Sequence, residues 1–496
     1  MSIRVNSWII PLALCALAFA LRLGPAFQNR FHADEALYSS WAMQIASGRD
    51  PLLAAVPVDK PPLALYAMAA SLWAFGRSEI AARLPSLIAS VVSVALAWRW
   101  ARTLAPSPSP VDRRGELFAA FVMAFSPFNI AFGGTAFLDP LMVMWGLAAC
   151  VAAARGRYGW AGSLLGLAFA TKAQGLLFAP LVILTAKYAE SAKKGSAFSA
   201  RSAVKFFMGL SLILTLLAAW SLARSGTPFW VQQAINYGGI RPAFASEVVP
   251  RLTRWLELLP YFFGPILSAL VLGGMLMLLG NTFARAKRTR AAALDLLLIA
   301  YTLGFFALHW LLAFPVWDRY LLVLVPVVAV LSGRLVGWVV GWLDDSRRQF
   351  AIKRVVFSMA TLLILPYTIQ AARSELSIGG DRGSHDGIDR VVVYLRDLPP
   401  GSVVYDHWLG WEFDFYLWDA PLYRAYFDTP SDLARDLHAF GRTSPRYLVA
   451  PGGASLAKIE RAIAAEGFYP APVLATPNRH GQTSFTVYRL LSNNFQ

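Results

Sequence analysis

The sequence predicts a helical protein with many membrane spans, followed by a soluble α/β domain. Of its 496 residues, 57% are hydrophobic and only 15% are charged, whereas soluble domains contain about 45–50% and roughly 25% of these classes. Apolar runs of the length needed to cross a bilayer core of about 30 Å recur over residues 1–373. After these runs, short strand patterns alternate with short helix patterns. These observations indicate a polytopic membrane protein with a soluble C-terminal domain.

The net charge of +16 is concentrated between the apolar runs. Lysine and arginine cluster in short links, a distribution typical of cytoplasmic loops, and this argues against a nucleic-acid partner. The two cysteines, Cys15 and Cys150, lie inside apolar runs, which excludes a disulfide framework and a cysteine-based metal site. The basic links contain Arg99, Arg102, Arg113 and Arg114; Arg155 and Arg157; Lys187, Lys193, Lys194, Arg201 and Lys205; Arg285, Lys287, Arg288 and Arg290; and Arg347, Arg348, Lys353 and Arg354.

About 11 segments are candidate membrane spans of a transmembrane domain over residues 1–373. The segments are 7–24, 81–104, 116–132, 136–154, 159–171, 172–187, 205–223, 257–280, 292–313, 319–341 and 355–373. The first is expected to be an uncleaved span, because no small-residue cleavage site precedes Phe31. Basic links flank both ends of 159–187, so this stretch is predicted to form two short helices that meet near Lys172.

The segments on the outer side collect the unusual polar residues. The outer loop 25–80 is predicted to carry two interfacial helices, 36–47 and 63–75, which are too short to span a membrane. The parity of the spans places the domain 374–496 outside the cytoplasm. Strands that alternate with helices indicate a mostly parallel sheet in this domain. Its predicted elements are helices 388–398, 410–418, 430–440 and 454–466, and strands 402–406, 422–427, 446–450, 471–476 and 484–490.

Two sites on the outer side carry acids suited to catalysis. Asp34 and Glu35 open a short helix directly after the first span, and the helix dipole favours ionised carboxylates there. An ionised carboxylate in a partly dry cleft can accept a proton from a hydroxyl. Asp139 lies in the turn before the next apolar run, directly ahead of Pro140. Both sites have a structural alternative, in which the acids only cap the helices that follow.

Three cations are placed where they can meet a phosphate at the outer membrane surface. Lys60 precedes a Pro-Pro turn, Arg319 lies at the outer end of a span, and Lys172 lies between two short apolar helices. Lysine acts on phosphate as a point charge and arginine can bind it bidentately. A lysine at membrane depth is costly unless it faces a polar cavity. The alternatives are a solvated turn for Lys60 and a snorkelling side chain for Arg319.

Five motifs occur in the order and spacing of a known family. They are the Asp34-Glu35 pair, VDKPPLALY (58–66), GTAFLDPL (134–141), GLAFATKAQGLL (166–177) and WDRYLLVLVPVVAVL (317–331). On these motifs the chain resembles membrane glycosyltransferases of the protein O-mannosyltransferase type (glycosyltransferase family 39-like). Bacterial relatives of this type include the lipid A 4-amino-arabinose transferases. The resemblance covers about residues 8–340.

The resemblance implies a C-type glycosyltransferase fold in the cytoplasmic membrane and a sugar donor on a polyprenyl phosphate. It implies an inverting transfer to an extracytoplasmic glycan, lipid or protein acceptor. By matching position, it implies Asp34 as the catalytic base, with Glu35 beside it. It also implies Asp139 as a second acid, and Lys60 and Arg319 at the donor phosphate.

Some positions stay open at this point. Many relatives have Arg where this chain has Gly134, and Lys172 or Arg241 is the candidate replacement cation. His32, Asp34 and Glu35 are candidate ligands for a divalent metal, which the family does not uniformly need. Further candidates for the acceptor site or cavity are Asp59, Tyr66, Arg241, Asp406 and His407. Asp406 and His407 follow a strand, where α/β sheets usually place ligand sites; the alternative is a packing loop.

Two other functional classes compete with the transferase. A transporter or flippase of lipid-linked sugars would bind near the bilayer midplane and show paired repeats. This chain instead places its ionisable residues at the outer ends of the spans, and no repeat is visible. A membrane-anchored binding protein would leave the upstream polar residues without a role. The sequence therefore favours the transferase.

Overall fold

The structure is a computed structural model that describes residues 9–105, 112–191, 200–224, 226–285, 289–340 and 346–493. Of the predicted basic links, Lys193, Lys194, Lys287 and Arg288 lie outside the described residues. Helices α1 to α16 are Ile9–Gln28, Ala33–Ala46, Leu63–Phe75, Glu79–Thr103, Asp112–Phe125, Pro127–Gly133, Asp139–Ala154, Tyr158–Thr171, Ala179–Ser191, Ala200–Ala223, Phe229–Tyr237, Ala245–Leu258, Pro265–Arg285, Arg290–Leu311, Leu324–Val340 and Ser346–Ala372. Short 3₁₀ helices cover Ala173–Phe178, Leu259–Phe262 and Asp318–Val323.

The chain divides into two compact units. Unit 1 contains Met1–Gln28 and Gln44–Gly379, and unit 2 contains Asn29–Met43 and Gly380–Gln496. The beginning of α2, with Asp34 and Glu35, therefore belongs to the same unit as the C-terminal domain. The sequence pattern had placed this stretch in the outer loop of the transmembrane domain.

Within the described residues, seven helices of unit 1 are long and apolar enough to cross a membrane, or eight if the bent pair α5 and α6 forms one span. The predicted number of about 11 spans is not confirmed. The difference lies mainly in α7, α8 and α9, which have 16, 14 and 13 residues. At 1.5 Å per residue, a helix of that length is shorter than a bilayer core of about 30 Å. Most of α7 is buried in the protein, so its apolar residues pack against other helices.

The break between α5 and α6 has a visible chemical cause. Pro127 has no N–H to donate to the carbonyl of Met123, so the helix bends there by 50°. The freed Met123 oxygen accepts from Asn129 Nδ2 at 3.0 Å and from Arg22 Nη2 at 3.3 Å. The fully buried Arg22 also donates to the carbonyl of Ala124. A buried arginine thus satisfies the carbonyls that the proline exposes.

Unit 2 is a five-stranded α/β fold. Helices α17 to α20 are Ile388–Arg396, Gly410–Tyr416, Pro430–Phe440 and Ala457–Ala464, and strands β1 to β5 are Val403–Asp406, Tyr423–Tyr426, Arg446–Pro451, Phe468–Pro477 and Thr483–Ser492. The strand order is β2-β1-β3-β5-β4. β1 pairs in parallel with β2 and β3, whereas β5 pairs antiparallel with β3 and β4. The sheet is therefore mixed, and the prediction of a mostly parallel sheet is wrong. A short turn and not a helix joins β4 to β5, so these two strands pair antiparallel.

Alternate residues of the strands face two separate cores in unit 2. Val404 packs in a cluster with residues of α17 and α18, including Phe413. Its neighbours Val403 and Tyr405 pack in a second cluster with residues of α19 and α20. Helices thus cover both faces of the sheet, and α18 is fixed to one of them.

Candidate active site

Three predicted phosphate-binding cations line one small cavity in unit 1. Lys60, Lys172 and Arg319 lie around it with Gln174 and Tyr237, and the three cations are only 6%, 8% and 6% exposed. Among the described lining residues, none carries a carboxylate. Positive charge in such a dry setting acts strongly on an anion, because the effective dielectric constant is low. The cavity is suited to bind an anionic group.

Lys60 is held by the turn that precedes α3. Its Nζ lies 2.6 Å from Asp59 Oδ2 and donates to the Tyr237 hydroxyl at 2.9 Å. Asn236 Nδ2 donates to the same Asp59 oxygen at 3.1 Å. Tyr237 and Asn236 come from the end of α11. Asp59, a tentative cavity residue, therefore contributes by fixing Lys60.

Lys172 lies in the break between α8 and the 3₁₀ helix Ala173–Phe178, as the sequence predicted. Its Nζ donates to Asp139 Oδ1 at 2.7 Å and lies 4.7 Å from the centre of the Tyr320 ring. Gly175 makes the break possible, because a Cβ there would stand 2.3 Å from the Ala168 backbone. Asp139, the first residue of α7, is 1% exposed. The second predicted acid thus forms a buried ion pair with Lys172.

Arg319 is placed at the start of the third 3₁₀ helix. Its guanidinium carbon lies 4.7 Å from the centre of the Phe137 ring and 4.6 Å from that of Trp317. Asp318 fixes the local backbone, since its carboxylate accepts from the N–H groups of Arg319 and Gly379. Aromatic faces hold a guanidinium in place.

In unit 2, Asp34 and Glu35 form part of an N-terminal cap on α2. The N–H of Asp34 donates to His32 Nδ1 at 3.1 Å, and the N–H of His32 donates to Glu35 Oε2 at 3.1 Å. This reciprocal pattern resembles a capping box, but with histidine in place of serine or threonine and with the second helical residue as the donor to the cap side chain. Glu35 is fully buried, whereas Asp34 is partly exposed. Glu35 therefore serves in the cap of α2, and Asp34 is the more exposed residue of the pair.

A buried cluster of ionisable side chains lies around His385 of unit 2. His385 Nδ1 pairs with Asp381, and its Nε2 lies 3.4 Å from Glu412 Oε1. Burial lowers the pKa of His385, but the hydrogen bond and charge of Asp381, with the charges of Glu412 and Glu35, outweigh it, and the pKa is raised. Asp381 and Glu412 are 2% and 1% exposed. The carboxylates around His385 thus favour the protonated form of its ring.

The remaining predicted residues have other partners. Tyr66 donates to the carbonyl of Pro51 at 2.7 Å and accepts from Trp220. The exposed Arg241 makes two 2.8 Å bonds to the carboxylate of Glu247 and is not among the residues that line the cavity. Lys172 lines the cavity and Arg241 does not, which favours Lys172 as the additional cation.

Asp406 and His407 both lie in unit 2, at the end of β1. Asp406 accepts from the N–H groups of Trp408 and Leu409, just before α18. Burial raises the pKa of Asp406, although these two bonds oppose the shift. His407 Nδ1 bonds to the carbonyl oxygen of Phe427 at 2.8 Å, and the two rings are stacked. Both residues thus have local structural contacts.

Several cavity residues were not found from the sequence. Gln233 and Tyr237 lie one helical turn apart on α11, and this spacing was the available signal. Gln174 and Tyr320 lie inside two of the five motifs but carried no separate indication. Within the part of the chain that the structure describes, no group of three His, Cys, Asp or Glu side chains could hold a metal ion, and this includes the candidates His32, Asp34 and Glu35.

Residues 59–222 match the model of the dolichyl-phosphate-mannose-protein mannosyltransferase family. This segment contains three of the five motifs on which the resemblance rests. No curated protein sequence matches the chain. The family match confirms the resemblance for the segment that carries Lys60, Asp139 and Lys172.

The fold is similar to those of several solved proteins. ArnT from Cupriavidus metallidurans in the apo state superposes with a TM-score of 0.67 at 15% identity, over 96% of this chain and 97% of that chain. The same protein bound to undecaprenyl phosphate gives 0.61 at 14% identity, over 97% and 98%. The Archaeoglobus fulgidus oligosaccharyltransferase in complex with Zn and sulfate gives 0.54 at 14%, over 96% and 72%. The chain therefore has the C-type glycosyltransferase fold that its sequence predicted.

The similarity to ArnT extends beyond the residues 8–340 on which the sequence resemblance was based. Because 96% of this chain is covered, most of the C-terminal unit is included. The comparisons therefore favour the glycosyltransferase over the transporter of lipid-linked sugars, the alternative class.

Gly134, the position at which the family resemblance led us to expect a cation in related chains, is packed tightly against α1. A Cβ there would stand 2.7 Å from the Ala26 nitrogen and 2.8 Å from Pro25 Cβ. An arginine could fit only if the backbone moved. The close packing therefore favours glycine at this position.

Proposed function

We propose that the chain is an inverting glycosyltransferase that moves a sugar from a polyprenyl-phosphate donor to an acceptor outside the cytoplasm. One observation carries the donor assignment. Three buried cations, Lys60, Lys172 and Arg319, line a single cavity in unit 1. Undecaprenyl phosphate bound to ArnT is a ligand of the same chemical kind, which supports a lipid-linked phosphate as the anion.

The positive charges of the cavity can stabilise the donor phosphate in the ground state, and more strongly in the transition state. A sugar polyprenyl phosphate is a phosphodiester with one negative charge. When the bond from the anomeric carbon to the phosphate oxygen breaks, the electron pair stays on the phosphate, which becomes a monoester and gains charge. Preorganised cations stabilise such developing charge. Asp139 contributes by holding Lys172 toward the cavity.

Asp34 is proposed as the base. In the proposed reaction, a hydroxyl or similar nucleophile of the acceptor attacks the anomeric carbon from the side opposite the phosphate, and Asp34 takes its proton. The phosphate leaves as a stable anion, so the reaction needs a base more than an acid. The partly exposed Asp34 fits this role, whereas Glu35 is used in the cap of α2.

The acceptor is proposed to be a glycan, lipid or protein of the cell envelope. The basic links support an acceptor site on the outer side of the membrane, because such links are typical of the cytoplasmic side. A reporter fused after residue 374 should be active only outside the cytoplasmic membrane, and one fused within 105–115 only inside. An outside signal from a fusion within 285–290 would contradict this orientation.

The proposal is tested with purified protein in detergent or vesicles. The donor is a radiolabelled sugar on polyprenyl phosphate, incubated with envelope fractions as the source of acceptor. We expect label to enter an acceptor with release of polyprenyl phosphate, and the anomeric configuration of the product to be inverted relative to the donor. Movement of intact donor across vesicles without bond cleavage would support the transporter class instead.

A further inference from the structure

The segment that precedes the acid pair is anchored in the core of unit 2. Phe31 is fully buried. The centre of its ring lies 4.9 Å from that of Phe415 and 5.8 Å from that of Tyr416. Its N–H donates to the Tyr416 hydroxyl at 3.2 Å. His32 is the N-cap residue of α2. The bond from Phe31 to Tyr416 therefore fixes the backbone directly before this N-cap residue.

A second contact holds the segment two residues earlier. Arg479 Nη2 donates to Asn29 Oδ1 at 3.2 Å. Arg479 is itself fixed by Asp386, with contacts of 2.6 Å at Nε and 2.9 Å at Nη2. This bidentate pair limits the movement of the guanidinium. The segment is therefore held on both sides of Arg30.

The helix that carries Tyr416 is itself rigidly placed. Asp406, at the end of β1, accepts the N–H groups of Trp408 and Leu409 at 3.0 and 2.7 Å, just before α18 begins. Phe413, in the middle of α18, is fully buried in the core. At the other end, the Tyr416 carbonyl accepts from Arg396 Nη2 at 2.7 Å. A continuous set of contacts thus runs from the sheet through α18 to the cap of α2.

We propose that Tyr416 is a positioning residue for catalysis: by holding Phe31, it orients the cap of α2 and with it the Asp34 carboxylate. The inference rests on the proposed function, in which Asp34 is the base. It gives the C-terminal unit a task in the chemical step that is separate from acceptor binding. Small displacements of a catalytic group lower the rate strongly, since about 1 Å can cost on the order of 10²-fold.

The test uses the full-length purified protein and the labelled-donor assay. Tyr416→Phe removes the acceptor of the Phe31 N–H but keeps the ring. We expect kcat to fall by about 3- to 10-fold, the range of one net hydrogen bond, with the donor KM unchanged. Tyr416→Leu, which also removes the ring contacts, should lower kcat further. Tyr423→Phe is the matched control, because Tyr423 is 70% exposed on the edge strand β2, and it should keep the wild-type kcat.

A double-mutant cycle separates positioning from a general effect on folding. In the Asp34→Asn background, Tyr416→Phe should cause no further loss, because the group that it positions has already been removed. The same fold-loss in both backgrounds would overturn the inference. So would a wild-type kcat for Tyr416→Phe, whatever its melting temperature. If Asp34→Asn itself turns over normally, Asp34 is not the base and the proposed function fails. This outcome differs from the failure of the Tyr416 inference, in which Asp34→Asn is slow but Tyr416→Phe causes the same fold-loss in both backgrounds.

Discussion

The cation cavity of unit 1 and the acid pair of unit 2 are built in different ways. Each cation lies where a helix begins or breaks, and the protein surrounds it with a carboxylate or with aromatic rings. Lys172, for example, pairs with the buried Asp139 and faces Tyr320. The acids instead open a regular helix whose start is fixed by the core of an α/β fold, through Phe31 and Tyr416.

This difference suggests a division of tasks. Breaks in apolar helices expose backbone and side-chain positions at membrane depth only where a polar cavity needs them, so unit 1 is suited to bind a lipid-linked anion. A helix cap fixed by a soluble fold holds a carboxylate at a defined angle, so unit 2 is suited to the proton transfer. Variants in the two units should therefore change different kinetic constants.

The largest expected effect is that of Asp34→Asn. This change keeps shape and hydrogen-bonding capacity but removes the charge, so kcat should fall by about 10²-fold or more, with the donor KM little changed. The measurement is steady-state transfer from labelled donor. Glu35→Gln should be milder in kcat, because Glu35 serves in the cap. If Asp139→Asn is inactive while Asp34→Asn is normal, the base has been assigned to the wrong carboxylate.

The next effect concerns the buried pair of Asp139 and Lys172. Asp139→Asn leaves the ammonium group without its carboxylate and should destabilise the protein by roughly 3 kcal/mol, as breaking a buried ion pair does. Thermal unfolding in detergent measures this. The double variant Asp139→Asn with Lys172→Met should recover much of that stability, yet its donor KM should stay high, because a cavity cation is gone. If the double variant recovers both the stability and the donor KM of the wild type, Lys172 is not part of the donor site.

A smaller effect is expected for single cations of the cavity. Lys60→Ala or Arg319→Ala should each raise the donor KM by about 10-fold, the loss of one charge-assisted contact to phosphate. The matched control is Arg241→Ala, which removes an exposed arginine outside the cavity and should leave the donor KM as in the wild type. If all three variants raise the donor KM equally, the cause is the general loss of positive charge and not the loss of a contact in the cavity.

The smallest effect is a pH dependence of stability in unit 2. The folded protein raises the pKa of His385, so the stabilisation is complete below the ordinary histidine pKa of about 6.5 and is lost as the pH rises through the folded value. The melting temperature should therefore be higher at pH 6 than at pH 8.5, and His385→Gln should reduce this difference. If His385→Gln shows the same difference in melting temperature between pH 6 and pH 8.5 as the wild type, other groups cause that difference.

Local patterns in the sequence predicted individual elements well. The structure has α3 at Leu63–Phe75 and α19 at Pro430–Phe440, the same residues as predicted, because both segments have clear start and stop signals. The break at Lys172 was also predicted, since basic links on both sides required it. Lys172 was chosen because charge at membrane depth is costly without a purpose, and Lys60 and Arg319 were chosen because such cations at the outer membrane surface can bind phosphate.

Features that depend on distant contacts were not predicted. Hydropathy gives the same signal for burial in protein and in lipid, so α7 to α9 were counted as spans. The antiparallel pairing of β4 and β5 follows from a turn and not from strand composition. The placement of Asn29–Met43 in unit 2 depends on contacts between Phe31 and Tyr416, 385 positions apart, and no local pattern contains such a contact.

Direct binding of the donor to Asp34→Asn tests the division of tasks most simply. A non-hydrolysed sugar polyprenyl phosphate is titrated into the wild type, Asp34→Asn and Arg319→Ala, and the dissociation constants are compared with the single-turnover rates of transfer. This division of tasks predicts that Asp34→Asn binds the donor as tightly as the wild type but transfers the sugar at least about 10²-fold more slowly, whereas Arg319→Ala binds it more weakly. Loss of donor binding in Asp34→Asn, or wild-type binding in Arg319→Ala, would contradict it.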